Sequence, residues 1–336
     1  MESMVSVIIP TCKGSDNLPR ALNSILEQTY KSLEVIVVDH NEPRSPARQR
    51  TEEAMREYLH LNHVKYIRSA KTQDRSAARN IGITESIGSY LCFLNDDDFY
   101  LKERIEKSVE LLEENPGYEG IICGVLITDE KRVKYLLIPE NPIKQRTLLI
   151  NESILCMGSN LFLSRHAVEV AGGFNELFNH HDINEFMLRV LEDFEILHLE
   201  DILIVKSDAG NSDQPNYRYL RKLKELYMLR FEEVIERLDP IERTRFYITQ
   251  YEELFYAALY SGKKEYIEQS LRELKLFRGI TLKDRFNILF NEKHLSRKKI
   301  FRTRGPLYDR SKKRVISKQL KNHMDPMVKE DILNII

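Results

Sequence analysis

A chain of 336 residues, 42% hydrophobic and 31% charged, has the apolar content for a sizeable core and the length for two domains, or for one domain with an extension. Its formal net charge of −1 gives no global pull toward nucleic acid, and it holds no run of about 18 apolar residues that could span a membrane. The four cysteines, Cys12, Cys92, Cys123 and Cys156, match no zinc spacing and read as reduced structural thiols. The N-terminus lacks a basic stretch followed by an apolar signal core, so a cytoplasmic location is the expectation.

In chain order, Val5 to Ile9 is a β-branched strand that ends at Pro10. A helix follows with Leu18, Leu22, Ile25 and Leu26 at helical spacing, and then a second apolar strand, Leu33 to Val38, closed by Asp39. Two uninterrupted apolar strands around an amphipathic helix make a βαβ unit and hence a parallel sheet. Ser45 to His60 reads as a helix and Val64 to Ile67 as a short strand. Asp74 is placed to cap a further helix, RSAARNIGITES, on which Arg75 and Arg79 share a face near the positive end. Both could point at a diphosphate, or pair with surface carboxylates.

Tyr90 to Leu94 reads as a buried strand running into Asn95, Asp96, Asp97 and Asp98. Three adjacent carboxylates repel one another, and a divalent cation carrying a phosphorylated ligand would neutralise them. A solvated acidic loop ahead of the next helix, Leu101 to Glu114, is the alternative. Thr11, Asp39 and Asp96 to Asp98 all fall just past strand ends, where parallel sheets bind ligands.

Gly120 to Thr128 and Val133 to Ile138 suggest an antiparallel pair, Leu161 to Leu163 another strand, and Ser164 a helix cap. His180, His181 and Asp182 open a helix in which Asp182 is either a capping-box residue with Glu185 or a general base facing the cleft. Phe194 to Val205 adds a strand, and Ser207 to Pro215 is a breaker-rich loop. Beyond it the spacing predicts three helices, the first running from Leu220 to Leu238. From Lys293 to Lys321 about a dozen basic residues face a single acid, Asp309. This tail could touch anionic lipid at the inner membrane face; its few aromatic residues argue against nucleic acid.

The order SVIIPT, VIVVD, AARNIGI, FLNDDD, GGFNE and an HD pair resembles the family-2 inverting glycosyltransferases with the GT-A fold, over roughly residues 3 to 210. The resemblance implies an α/β fold with a Rossmann-like, mostly parallel central sheet. It implies a nucleotide-sugar-binding catalytic domain over 1–215 and leaves 216–336 as a helical extension with a basic tail. It implies a UDP-sugar donor, a glycan or lipid-linked acceptor, and Mn2+ or Mg2+. Thr11 and Asp39 would hold the nucleoside, with Arg75 and Arg79 at the nucleotide. Asp97 would contact the metal, Asp96 and Asp98 would line the sugar and diphosphate, and Asp182 would be the base. The chain departs from the family pattern at His40 to Glu42, at Asn95 and at His181. A sugar-phosphate nucleotidyltransferase and a non-catalytic nucleotide-binding scaffold are the alternatives.

Overall fold

The structure, a computed structural model, describes residues 2–14, 16–69, 74–129, 132–139, 143–150, 158–178, 180–207, 216–281 and 284. The basic tail, Cys156 and most of the Ser207 to Pro215 loop lie outside them. Described residues up to Lys144 and from Gly158 to Ser207 pack as one unit. Gln145–Ile150 and the residues from Asn216 onward pack as a second.

In the first unit, β1 (Val5–Thr11) and β2 (Leu33–Asp39) are buried along their whole length, as the uninterrupted apolar runs require. They pair in parallel, with Thr11 opposite Asp39. On one side β2 pairs in parallel with β3 (Val64–Arg68); on the other β1 pairs in parallel with β4 (Tyr90–Phe93). The sheet continues through β8 (Phe162–Ser164), β6 (Tyr118–Asp129), β9 (Glu195–Ser207) and the short β5 (Phe99–Tyr100), with β7 (Arg132–Leu137) beside β6. Antiparallel joins at β4–β8, β8–β6 and β9–β5 make this half mixed. Helices α1 (Leu18–Leu26), α2 (Pro46–Met55), α3 (Arg75–Glu85) and α4 (Arg104–Glu114) connect these strands, and the short α6 (Arg165–Val170) follows β8.

Helix α3 lies hard against β1. A Cβ built on Gly82 would meet Ile8 Cγ2 at 2.3 Å, so only glycine permits this approach. Asp74 caps α3 as expected, its carboxylate accepting from Ser76 N at 2.7 Å. That cap and the Gly82 contact fix where the first turn of α3 stands relative to the strand ends.

Four local expectations are corrected. The Ser45 to His60 helix stops at Met55, and the Leu101 helix begins only at Arg104. The capping box at Asp182 does not form. Helix α7 (Asp182–Asp193) begins with Asp182 already helical, after His181 in the left-handed region (φ 61°). Glu185 instead grips Arg189 through two bonds of 2.9 and 2.8 Å. In the second unit, the long helix breaks into α8 (Tyr217–Arg230) and α9 (Glu232–Glu236) at Phe231. The break lets Phe231 bury edge-on against Tyr227 at 5.2 Å. Helix α10 (Pro240–Ser261) follows, capped by Asp239 on the backbone N–H groups of Ile241 and Glu242, and then α11 (Lys264–Leu274). The short α5 (Gln145–Ile150) packs against α9 and α10, with Arg146 paired to Glu242. Its place in the helical unit was not foreseen.

Candidate active site

The tips of β1, β2 and β4 bring Thr11, Asp39 and the aspartate triplet to one edge of the sheet. Thr11 Oγ1 donates to Asp96 Oδ2 at 2.6 Å, tying β1 to the turn after β4. Asp39 is fully buried, and its carboxylate is held by three hydrogen bonds and an ion pair. Oδ1 accepts from the backbone and side-chain N–H of Asn41 at 2.9 and 2.8 Å. Oδ2 accepts from Tyr66 OH at 2.6 Å and lies 3.1 Å from Arg48 Nε. Arg48 is buried too, and also donates to the carbonyls of Asp39, Asn41 and Ser69. Arg48 and Tyr66 were missed in the sequence because neither sits at a strand end or in a recognised motif.

The three triplet carboxylates have different surroundings. Burial pushes Asp96 up to about 6, with the Thr11 bond and the nearby Arg75 charge opposing the shift and Asp97 adding to it. Burial likewise pushes Asp98 up to about 6, Asp97 adding to it and Lys206 opposing it. Asp98 is enclosed and accepts from Ser159 Oγ at 2.5 Å, Asn95 Nδ2 at 3.0 Å and Ser207 N at 3.3 Å. Asp97 is half-buried, and its carboxylate makes no hydrogen bond or ion pair with a described residue. Only its backbone oxygen is engaged, by Arg20, whose guanidinium sits 4.9 Å over the Phe99 ring.

Among the described residues no three of His, Cys, Asp and Glu gather as a metal site. The residues still fit a hard divalent cation held chiefly by a ligand's phosphate oxygens, with Asp97 as the protein's contribution. Among the described residues Asp97 is the one triplet carboxylate without a hydrogen bond or ion pair, and its charge adds to the upward push that burial gives both neighbours.

The first turn of α3 borders two regions at once. Arg75 is exposed, acts electrostatically on Asp96 and Cys12, and makes no side-chain hydrogen bond or ion pair with a described residue. One residue on, Ser76 Oγ donates to Phe178 O at 3.1 Å, next to the start of α7. Arg79 is fully buried, its guanidinium 5.1 Å over the Phe174 ring and ion-paired to Asp182. Burial depresses the Arg79 pKa, and Asp182 is the largest charge opposing that. Phe174 in turn meets Phe93, at the end of β4, edge-on at 5.1 Å. The structure therefore brings Thr11, Asp96, Asp97, Asp98 and Arg75 together. It ties the buried Arg79 to Asp182 in an ion pair, and it encloses Asp39 in a network of its own.

The model of the family described as Glycosyl transferase family 2 matches residues 6–170. Through residues 6–170 this chain belongs to glycosyl transferase family 2. The chain is 26% identical over 198 residues to an uncharacterised glycosyltransferase of Haemophilus influenzae, covering 56% of this chain and 63% of that protein. It is 30% identical over 192 residues to the amylovoran biosynthesis glycosyltransferase AmsB of Erwinia amylovora, covering 55% of this chain and 62% of AmsB. The chain thus spans less than two thirds of the length of these relatives. Two solved structures share the fold. TarS 1–349 of S. aureus in complex with UDP-GlcNAc aligns at 14% identity and TM-score 0.50, over 82% of this chain and 89% of that one. The mannosyltransferase PcManGT of Pyrobaculum calidifontis, in complex with GDP-Man and Mn2+, aligns at 15% identity and TM-score 0.50, over 87% and 80%. The family-2 chain is an α/β protein of GT-A type with a helical C-terminal part. No described helix is long and apolar enough to cross a membrane.

Proposed function

We propose that this chain is an inverting, metal-dependent glycosyltransferase. It moves a hexose or N-acetylhexosamine from a UDP-sugar to a glycan or lipid-linked acceptor in cell-surface polysaccharide synthesis. One observation carries the reading: a carboxylate, Asp97, and a guanidinium, Arg75, neither hydrogen-bonded nor ion-paired to a described residue through its side chain, both act electrostatically on Asp96 beyond the end of β4. A carboxylate for a cation and a guanidinium for a diphosphate are the two charges that a nucleotide-sugar leaving group demands. The role of AmsB in amylovoran biosynthesis supports the polysaccharide assignment, and the ligands of TarS and PcManGT support a nucleotide-sugar donor.

In this reading Mn2+ or Mg2+, when bound, offsets the charge that grows on the departing diphosphate. Asp97 holds it, Arg75 lies against the diphosphate, and Thr11 and Asp39 shape the nucleoside end. Asp96 and Asp98 form the floor beneath. Asp182 takes the proton of the acceptor hydroxyl as its oxygen bonds to the anomeric carbon and the bond to the diphosphate breaks. Arg79 fixes the direction in which Asp182 points. The pairing of Asp182 with Arg79 is also what favours the second reading, a nucleotide-binding protein without turnover, because it occupies the base.

Calorimetric titration of UDP with and without Mn2+, followed by UDP-sugar turnover, tests the proposal. Metal-dependent UDP binding, abolished in Asp97→Ala and weakened about tenfold or more in Arg75→Ala, is expected. UDP binding that ignores both the metal and these substitutions overturns the site. Binding without turnover across a broad acceptor panel selects the second reading.

A further inference from the structure

We infer that the turn Gly158–Asn160 positions both ends of the site. Ser159 acts on the acidic triplet and Gly158 on the Arg79–Asp182 pair. The inference rests on the glycosyltransferase reading and adds residues that none of its motifs contains.

The turn is a single 3-10 helix immediately before β8, and all three of its residues are buried. Asn160 anchors it. Its side chain accepts from Cys123 N at 2.8 Å and donates to Cys123 O at 3.0 Å, taking the place of a neighbouring strand on β6. Its own carbonyl accepts from the enclosed Arg104 at 3.2 Å. With Asn160 held this way, the two residues before it have little freedom. Ser159 Oγ accepts from Asn95 N at 3.0 Å and donates to Asp98 Oδ2. It therefore closes both flanks of the Asn95 to Asp98 turn and fixes the direction in which Asp97 projects. Gly158 leaves room for Arg79: a Cβ there would stand 2.8 Å from Arg79 Nη2 and 3.3 Å from Ile183 Cδ1. Arg79 is thereby seated where it meets Asp182. Consecutive residues thus serve the two chemical ends.

The arrangement predicts a split that a general loss of packing would not produce. In the full chain, Ser159→Ala is expected to weaken UDP binding in Mn2+ by about 10- to 100-fold, the range for partners that orient a metal ligand. UDP binding in EDTA should stay unchanged. Asn95→Ala, which removes another bond to Asp98, is the second variant and should move the same quantity in the same direction. Gly158→Ala is expected to leave Mn2+-dependent UDP binding intact while slowing hydrolysis of UDP-GlcNAc, with water as acceptor, about tenfold. Melting temperatures of the metal-free variants show that each is folded. Wild-type affinity in both Ser159→Ala and Asn95→Ala overturns the inference, and so does a Gly158→Ala defect that falls on binding instead of turnover. A wild-type protein that fails to bind UDP in Mn2+ overturns the glycosyltransferase reading itself, and the inference falls with it.

Discussion

Thr11 and Asp96, 85 residues apart, share a 2.6 Å hydrogen bond that joins the tip of β1 to the turn after β4. The bond fastens two neighbouring parallel strands where a ligand would meet them, and it opposes the rise that burial imposes on Asp96. Thr11→Val keeps the shape and removes the donor. A loss of about 1.5–3 kcal/mol is expected, the range for a bond to a charged group. Urea unfolding at pH 7.5 measures it, and a midpoint equal to wild type would show that the bond contributes nothing.

Arg79 has no exposure to spare, and Asp182 is its charge partner. Removing one member of such a pair leaves a buried charge without compensation. Asp182→Ala should therefore destabilise by about 3–5 kcal/mol, besides any effect on turnover. Replacing both residues together, as Arg79→Met with Asp182→Leu, should cost less than Asp182→Ala alone. Chemical denaturation of the three proteins checks the order.

Gly82 sets the distance between α3 and β1. Gly82→Ala adds a methyl where Ile8 already stands and should cost about 1–3 kcal/mol by overpacking, despite alanine's better helix propensity. The companion change Ile8→Val in the same chain should recover part of the loss. If Gly82→Ala instead raises the melting temperature, the helix is not in this contact.

In the metal-free protein, Asp98 carries a pH signature. Its folded-state pKa is pushed up to about 6 from an ordinary value of 3.8. The folded state therefore holds the proton more tightly than the unfolded chain does. The stability this adds is complete below the ordinary value and is lost as pH rises through about 6. The difference is worth roughly 3 kcal/mol. Asp98→Asn should remove this part of the profile, gaining on wild type as pH goes from 4 to 7. Parallel stability curves for the two proteins would show that Asp98 is not desolvated.

Much of the site could be read from the chain because parallel strands end in it. Uninterrupted apolar runs stopping at Thr11, Asp39 and Asn95 announce a sheet edge without any knowledge of contacts. The order of the motifs then supplies the family. Arg48, Tyr66, Ser159 and Gly158 could not be read this way. Each earns no signal from periodicity, and each matters only because a distant residue stops beside it. Arg79 shows the same limit from the other side. Its spacing from Arg75 placed both on one face, and the structure buries one and exposes the other. The break at Phe231 also escaped the apolar spacing, which continues unbroken across it.

The sequence by itself determined the βαβ start, the strand ends that carry acids, the cap at Asp74 and the helical character of the C-terminal part. These follow from local propensity and hydrophobic period, which act over a few residues. Only the tertiary structure decided which of three adjacent aspartates makes no side-chain hydrogen bond or ion pair among the described residues, and which arginine pairs with Asp182. The physical reason is that charge compensation and desolvation depend on what packs around a group. Ser159, Thr11 and Arg79 reach their partners across 61, 85 and 103 positions of chain.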